Sequence, residues 1–149
     1  MSGFLLDMSV LSAFAPGRPE LPETFGQWLE EKGRREAWYV PAIAAAEVQK
    51  GVAKLRRSGA KARASQLEQW LTELLTEFGE RILPIDAAVA RQAGEMEDAA
   101  IALGRDPGLP DVLIAATAQQ HGLTVLTANV RHFAALGVPH LNPLAPGAA

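Results

Sequence analysis

A chain of 149 residues, 48% hydrophobic and 21% charged, has the composition of one ordinary globular domain with a sizeable core. Its net charge of −3 excludes a protein coated in basic residues for nucleic acid, while leaving room for local basic patches, and the absence of cysteine excludes disulfides and thiolate metal sites. No apolar run approaches the ~20 residues of a membrane span, and MSGFLLDMSV lacks a basic lead-in and reaches Asp7 too early for a secretory signal, so the expected location is the cytoplasm.

In chain order, GFLLD is a short apolar strand ending on Asp7, and MSVLSAF follows as a short helix stopped by PGRPELP. ETFGQWLEEKG is amphipathic, with Phe25, Trp28 and Leu29 at helical spacing. WYVP is a second strand. A helix over 42–58 turns at SGAK into a longer one that reaches Phe78, with Leu67, Trp70, Leu71, Leu74 and Leu75 on one face. RILPI is a third strand, and Asp86 caps DAAVARQAGEMEDAAIAL, which ends at Gly104. After RDPG, the helix LPDVLIAATAQQHG closes on Gly122 as its C-cap. TVLT is a strand, NVRHFAAL a short helix and PHLNPL a last short strand.

Strands and helices alternate, and the strands are apolar runs without clean period-two patterning, as expected when both faces are covered. The expected fold class is therefore a three-layer α/β/α domain with a short parallel sheet. The helix pair over 42–78 interrupts that alternation and reads as a protruding αα-hairpin. No repeat and no linker divides the chain: residues 1–144 read as one domain and 145–149 as a disordered tail.

In an open parallel sheet, ligands bind beyond the carboxyl ends of the strands. Asp7 closes the first strand there, where it would also cap the next helix. Glu47 lies in the middle of VPAIAAAEVQKGV, beside a buried stripe marked by Ile43, Val48, Val52 and Leu55. An unpaired carboxylate there would normally neutralise or find a partner, and Lys50 one turn on is the ordinary candidate. Asp111 opens DVLIAATA on the face of Ile114, Ala115 and Ala118, where the helix N-terminus also favours an acid. Should the three converge, each pair would repel by about 4 kcal/mol at ~4 Å and an effective dielectric of 20, a cost that a proton or a cation must offset. Oxygen ligands alone point to Mg²⁺ or Mn²⁺, and a carboxylate-held Mg²⁺ in an open cleft suits phosphoryl chemistry. Asn129 and Thr127, after the strand TVLT, reach the same edge of the sheet; each could serve water or metal, and Asn129 is also placed as a helix N-cap.

Other features carry less chemistry. Glu95, Glu97 and Asp98 belong to a charged helix face; His121, His132 and His140 are too scattered for zinc. No nucleotide-binding glycine pattern follows the first strand, and there is no GxSxG elbow. One basic cluster, KLRRSGAKAR, holds Lys54, Arg56, Arg57, Lys61 and Arg63 at the hairpin's turn; it reads either as a solvated turn or as a contact for an RNA backbone.

LLDMSVLS, AEVQKGV and DVLIAATAQQHGLTVLTANVRHF, in that order, resemble the PIN-domain nucleases, and more narrowly the VapC-type and FitB-type toxins of bacterial toxin–antitoxin pairs, over residues 3 to about 144. The resemblance implies a Mg²⁺- or Mn²⁺-dependent ribonuclease. Asp7, Glu47 and Asp111 match the family's first three acids, and Asn129 falls at the fourth, often Asp and sometimes Asn. Asp7 and Asp111 would be the main metal ligands, Glu47 would complete the cluster, and Asn129 and Thr127 would orient the attacking water. It also implies a homodimer that cuts structured RNA such as tRNA to 5′-phosphate and 3′-hydroxyl ends. A small antitoxin would be the partner, blocking the active site and carrying the complex to operator DNA.

The chain departs from the pattern at four further places. Met8 and Ser9 replace a usual Thr-Asn, Ala13 a frequent acid, and Pro41 a serine that often starts the helix of Glu47. Two alternatives follow from the same residues: a FitB-like partner acting mainly through an antitoxin complex on operator DNA, and a PIN nuclease outside toxin–antitoxin systems.

Overall fold

The structure, a computed structural model, describes residues 2–145. Of the tail expected over 145–149, residues 146–149 lie outside that range. Five short strands, β1 (Phe4–Leu6), β2 (Trp38–Pro41), β3 (Ile82–Leu83), β4 (Thr124–Leu126) and β5 (His140–Leu141), form one sheet in the order β3-β2-β1-β4-β5. Every pairing is parallel, with Leu5 opposite both Tyr39 and Val125. The helices are α1 (Met8–Leu11), α2 (Glu23–Glu31), α3 (Ala42–Arg57), α4 (Lys61–Phe78), α5 (Ala87–Ala102), α6 (Leu109–His121) and α7 (Val130–Ala135).

Side chains alternate across the sheet, and the core divides accordingly. Leu5 and Val125 face a layer made by α5, α6 and α7, where Val89, Met96, Val112, Ile114 and Phe133 pack. Phe4, Leu6, Val40 and Leu126 face the opposite layer, with Val10 and Leu11 of α1, Phe25 and Trp28 of α2, and Ala44 of α3. This is why the strands read as unbroken apolar runs: both faces are covered. Burying one leucine side chain in such a layer contributes about 2 kcal/mol.

The expected elements are present, with two shifts. The strands read from RILPI and PHLNPL shrink to two residues each, and MSVLSAF divides into α1 and a 3₁₀ turn over Ser12–Phe14. In α3 the buried stripe is Ala44, Val48 and Val52, while Ile43 is half-buried against the opposite layer. The small side chain of Ala44, not the larger Ile43, meets α1 and α2. Asp86 caps α5 by accepting from the Val89 amide at 2.9 Å, and Gly122 ends α6 in the left-handed region at φ 65°. The hairpin of α3 and α4 is fastened by Glu68, which accepts from Gln49 at 3.0 Å and from Arg56 at 3.2 Å.

Chain connections leave β1 toward β2 on one side of the sheet, whereas β4, its other neighbour, leads to β5 on the other. A crevice opens at the carboxyl ends of such a pair, and it is the usual ligand site of an open α/β sheet. Residues 7 and 127, which follow β1 and β4, therefore stand at the switch point of the topology.

Candidate active site

Asp7 is buried at that switch point. One oxygen, Oδ1, accepts from the Met8 amide at 2.8 Å, so the helix-cap role is real. The other, Oδ2, accepts from Thr127 Oγ1 at 2.7 Å and from Ser9 Oγ at 2.9 Å. The same two hydroxyls accept from the next turn of chain: Thr127 Oγ1 from the Asn129 amide and Ser9 Oγ from the Ala128 amide, both at 2.9 Å. Asp7 is thus fixed to the loop after β4 by two hydroxyl bridges. Thr127 is fully buried and its single proton is given to Asp7, so it orients the acid rather than a water. Ser9, one of the departures from the family's pattern, gives Asp7 polar support.

Glu47 is half-buried at the edge of the α3 stripe, between Ala44 and Val48. Its Oε1 is fully buried and has no hydrogen-bond partner. Burial first, then the charge of Asp7, then that of Asp111, hold its carboxyl above the usual carboxylate range; Lys50 opposes them more weakly. Glu47 is not closed on Lys50: the ion pairs among the described residues do not include it.

Asp111 lies in the first turn of α6, behind Leu109 and Pro110, where proline suits the helix start. Its side chain is only 18% exposed, and Oδ2 meets His132 Nδ1 at 2.6 Å, with His132 itself 58% exposed on α7. His132, set aside in the sequence with the other scattered histidines, thus joins Ser9 as a site residue the sequence did not assign. Nothing in the spacing of Asp111 and His132 announces a contact between two helices, whereas Ser9, a hydroxyl two residues after a strand-ending aspartate, carried a local turn signal.

Asn129 occupies the N-cap position of α7, but its side chain makes no cap bond; it is exposed at the same rim. Of the five basic residues at the hairpin turn, Arg56 is committed to Glu68, and Arg63 lines a groove that also contains Glu47. Lys54, Arg57 and Lys61 are exposed on the arm.

Asp7, Glu47 and Asp111 are thus drawn from three separate elements to one edge, near enough for both aspartates to act on Glu47. Among the described residues, no three acid or histidine side chains stand close enough to grip one ion together. The donor chemistry nonetheless fits a hard cation: all oxygen, one lone-pair site left on Asp7, and a buried Glu47 oxygen without a partner.

The chain belongs to the PIN-domain family, whose model matches residues 4–138. Within that class it is 37% identical over 140 residues to toxin FitB of Neisseria gonorrhoeae (strain ATCC 700825 / FA 1090), covering 93% of this chain and 96% of FitB. It is 30% identical over 142 residues to VapC ribonuclease Y4jK of Sinorhizobium fredii (strain NBRC 101917 / NGR234), covering 95% and 98% of the two chains. The fold is similar to that in the structure of FitAB bound to an IR36 DNA fragment, with a TM-score of 0.70 at 34% identity over 95% of this chain and 96% of that one. The resemblance read from the three segments holds, as does the parallel α/β fold read from the alternation of strands and helices. No helix among the described residues is long and apolar enough to cross a membrane.

Proposed function

We propose that this chain is the toxin of a toxin–antitoxin pair and a Mg²⁺- or Mn²⁺-dependent endoribonuclease acting in the cytoplasm. The observation that carries the site is the buried, unpartnered Oε1 of Glu47, set in the field of Asp7 and Asp111. Asp7 and Asp111 would hold the ion, directly or through water, and Glu47 would complete its surroundings. When bound, the ion would neutralise phosphate charge and make water a stronger nucleophile. Ser9 and Thr127 hold Asp7 in place for that task, and His132 holds Asp111. Asn129, whose side-chain amide makes no helix-cap bond, would orient the water for in-line attack on phosphorus. The bond to the 3′-oxygen breaks, leaving 5′-phosphate and 3′-hydroxyl ends. The similarity to a VapC ribonuclease supports RNA, tRNA among the candidates, as the substrate.

Purified protein mixed with RNA should cut it in Mg²⁺ and stop in EDTA. Asp7→Asn combined with Asp111→Asn should lower the rate at least roughly a hundredfold, since metal stabilisation of the transition state is worth several kcal/mol. Cleavage that survives both treatments would sink the mechanism.

A small antitoxin is the proposed partner, with operator DNA reached only through it; the similarity to FitAB on a DNA fragment supports this. A second reading, in which the chain acts mainly within such a DNA-bound complex and cuts feebly, draws on two observations. Asn129 contributes no charge, and one oxygen of Asp111 is taken by His132. A gel shift of operator DNA by a co-expressed pair, with RNA left intact in Mg²⁺, would favour it. A nuclease outside toxin–antitoxin systems would have no short antitoxin reading frame beside its gene.

A further inference from the structure

A groove of about 400 Å³ runs from Glu47 between the α3–α4 arm and the loop after α1. Its volume falls within the roughly 300–1,000 Å³ of small-ligand sites. Met8, Leu67 and Trp70 give it apolar walls, and Arg18 and Arg63 line it with them. Neither arginine is in an ion pair among the described residues, unlike Arg56, which is spent on Glu68. Beyond Trp70 the surface continues to a second, exposed aromatic ring, Phe14, across Pro16 and Gln66.

We propose that this groove holds the nucleotide next to the scissile phosphate, with its base against Trp70 and its backbone met by Arg18 and Arg63. The inference rests on the ribonuclease reading above and names the part of the substrate that the acid cluster does not touch. Three arguments select RNA over another occupant. The groove shares Glu47 with the acid cluster, so whatever fills it adjoins the reacting phosphate. A flat ring and two arginines outside any ion pair among the described residues, lining one groove, match a chain that alternates bases with phosphates. The chain's net charge of −3 leaves local arginines such as these as the means of holding a polyanion. Trp70 also packs against the core layer of α1 and α2, which makes it a rigid platform and not a loose flap.

The test is fluorescence anisotropy with a fluorescein-labelled single-stranded RNA of about ten nucleotides, bound in EDTA so that it stays whole, with cleavage kinetics in Mg²⁺ beside it. Trp70→Leu keeps apolar bulk but removes the aromatic face. It should weaken binding about tenfold, the scale of one base–aromatic stack. It should raise KM by a similar factor while leaving kcat near wild type. Trp70→Phe should restore most of both, and thermal melts of the two variants establish that each folds. Arg63→Ala should reduce the salt dependence of log K by about 0.7, the share of one single-strand phosphate contact. Wild-type affinity in Trp70→Leu, or equal loss in Trp70→Leu and Trp70→Phe, would overturn the proposal. Unchanged RNA binding in Trp70→Leu together with loss of a co-expressed antitoxin would assign the groove to a protein segment. A wild-type protein that neither binds nor cuts RNA sinks the ribonuclease reading itself. One that cuts RNA, with Trp70→Leu behaving like it, sinks only the groove.

Discussion

Glu47 is the residue on which electrostatics and function conflict most directly. Its carboxyl titrates higher in the fold than the ordinary 4.5, because burial, Asp7 and Asp111 all disfavour its charge. Between those two values the folded chain binds more protons than the unfolded one, so stability falls as pH rises through that interval. Below 4.5 both states are protonated and the penalty vanishes; above the raised value it is complete. In EDTA, Glu47→Gln should therefore melt above wild type at pH ~7 and converge with it near pH ~4. Mg²⁺ should raise the melting temperature of wild type more than that of the variant. A variant that melts no higher than wild type at neutral pH would show that the acid is not under strain. Thr127 tests the other half of the site. Thr127→Val keeps the shape but strips Asp7 Oδ2 of a 2.7 Å donor and the Asn129 amide of its acceptor. Leaving such groups unpaired costs about 1–3 kcal/mol in urea unfolding. Loss of an outer partner of a metal ligand costs about 10–100-fold in activity, and Thr127→Ser should recover most of both. The position of Asp7 at a strand end and of Glu47 beside a stripe was legible in the sequence, since both follow from local periodicity. The assignment of Thr127's proton to Asp7, and the closure of His132 on Asp111, depend on long-range packing that no local pattern encodes.

At the scale of elements, the site depends on β1 entering the sheet in register. Gly3 makes that entry possible. Its φ of 146° lies where side chains are rarely tolerated, and a Cβ would sit 2.4 Å from the Ala37 carbonyl oxygen. That oxygen accepts from the Phe4 amide at 2.8 Å, joining β1 to the chain leading into β2. Gly3→Ala must shift backbone on one side or the other, and should destabilise the protein by about 2 kcal/mol in urea unfolding. A variant as stable as wild type would mean the entry has slack. The order and type of elements were readable because apolar runs, glycine caps and the proline-rich stop after the first helix are local. WYVP was placed to the residue, and Gly122 was found from its place after α6. Strand lengths were overestimated in RILPI and PHLNPL because a parallel strand ends where its neighbour ends, not where hydrophobicity does. The order β3-β2-β1-β4-β5, which creates the crevice, is likewise a property of the assembled layers and not of any segment.

For the whole molecule, the α5–α6 turn carries the most conspicuous unpaired apolar surface. Leu103 is 75% exposed and Leu109 57%, with Ile101 beside them. The two helices pack antiparallel, as the contact of Gln92 with Gln120 shows, so the end of α5 stands next to the start of α6. Leu109 opens the helix that carries Asp111, so the patch and that acid share the first turn of α6. We propose that a second copy of the chain closes over Leu103 and Leu109. An isologous contact of this kind repeats each residue twice, so a charge introduced there meets its own copy. Leu103→Glu with Leu109→Glu should therefore halve the mass measured by sedimentation equilibrium. Both side chains lie outside the core, so the thermal melt of a dilute sample should change little beyond the loss of dimer coupling. Comparing the two proteins with the same RNA then separates assembly from chemistry. A monomeric variant with wild-type kcat leaves each site complete in one chain. An unchanged mass would place the dimer contact on another face.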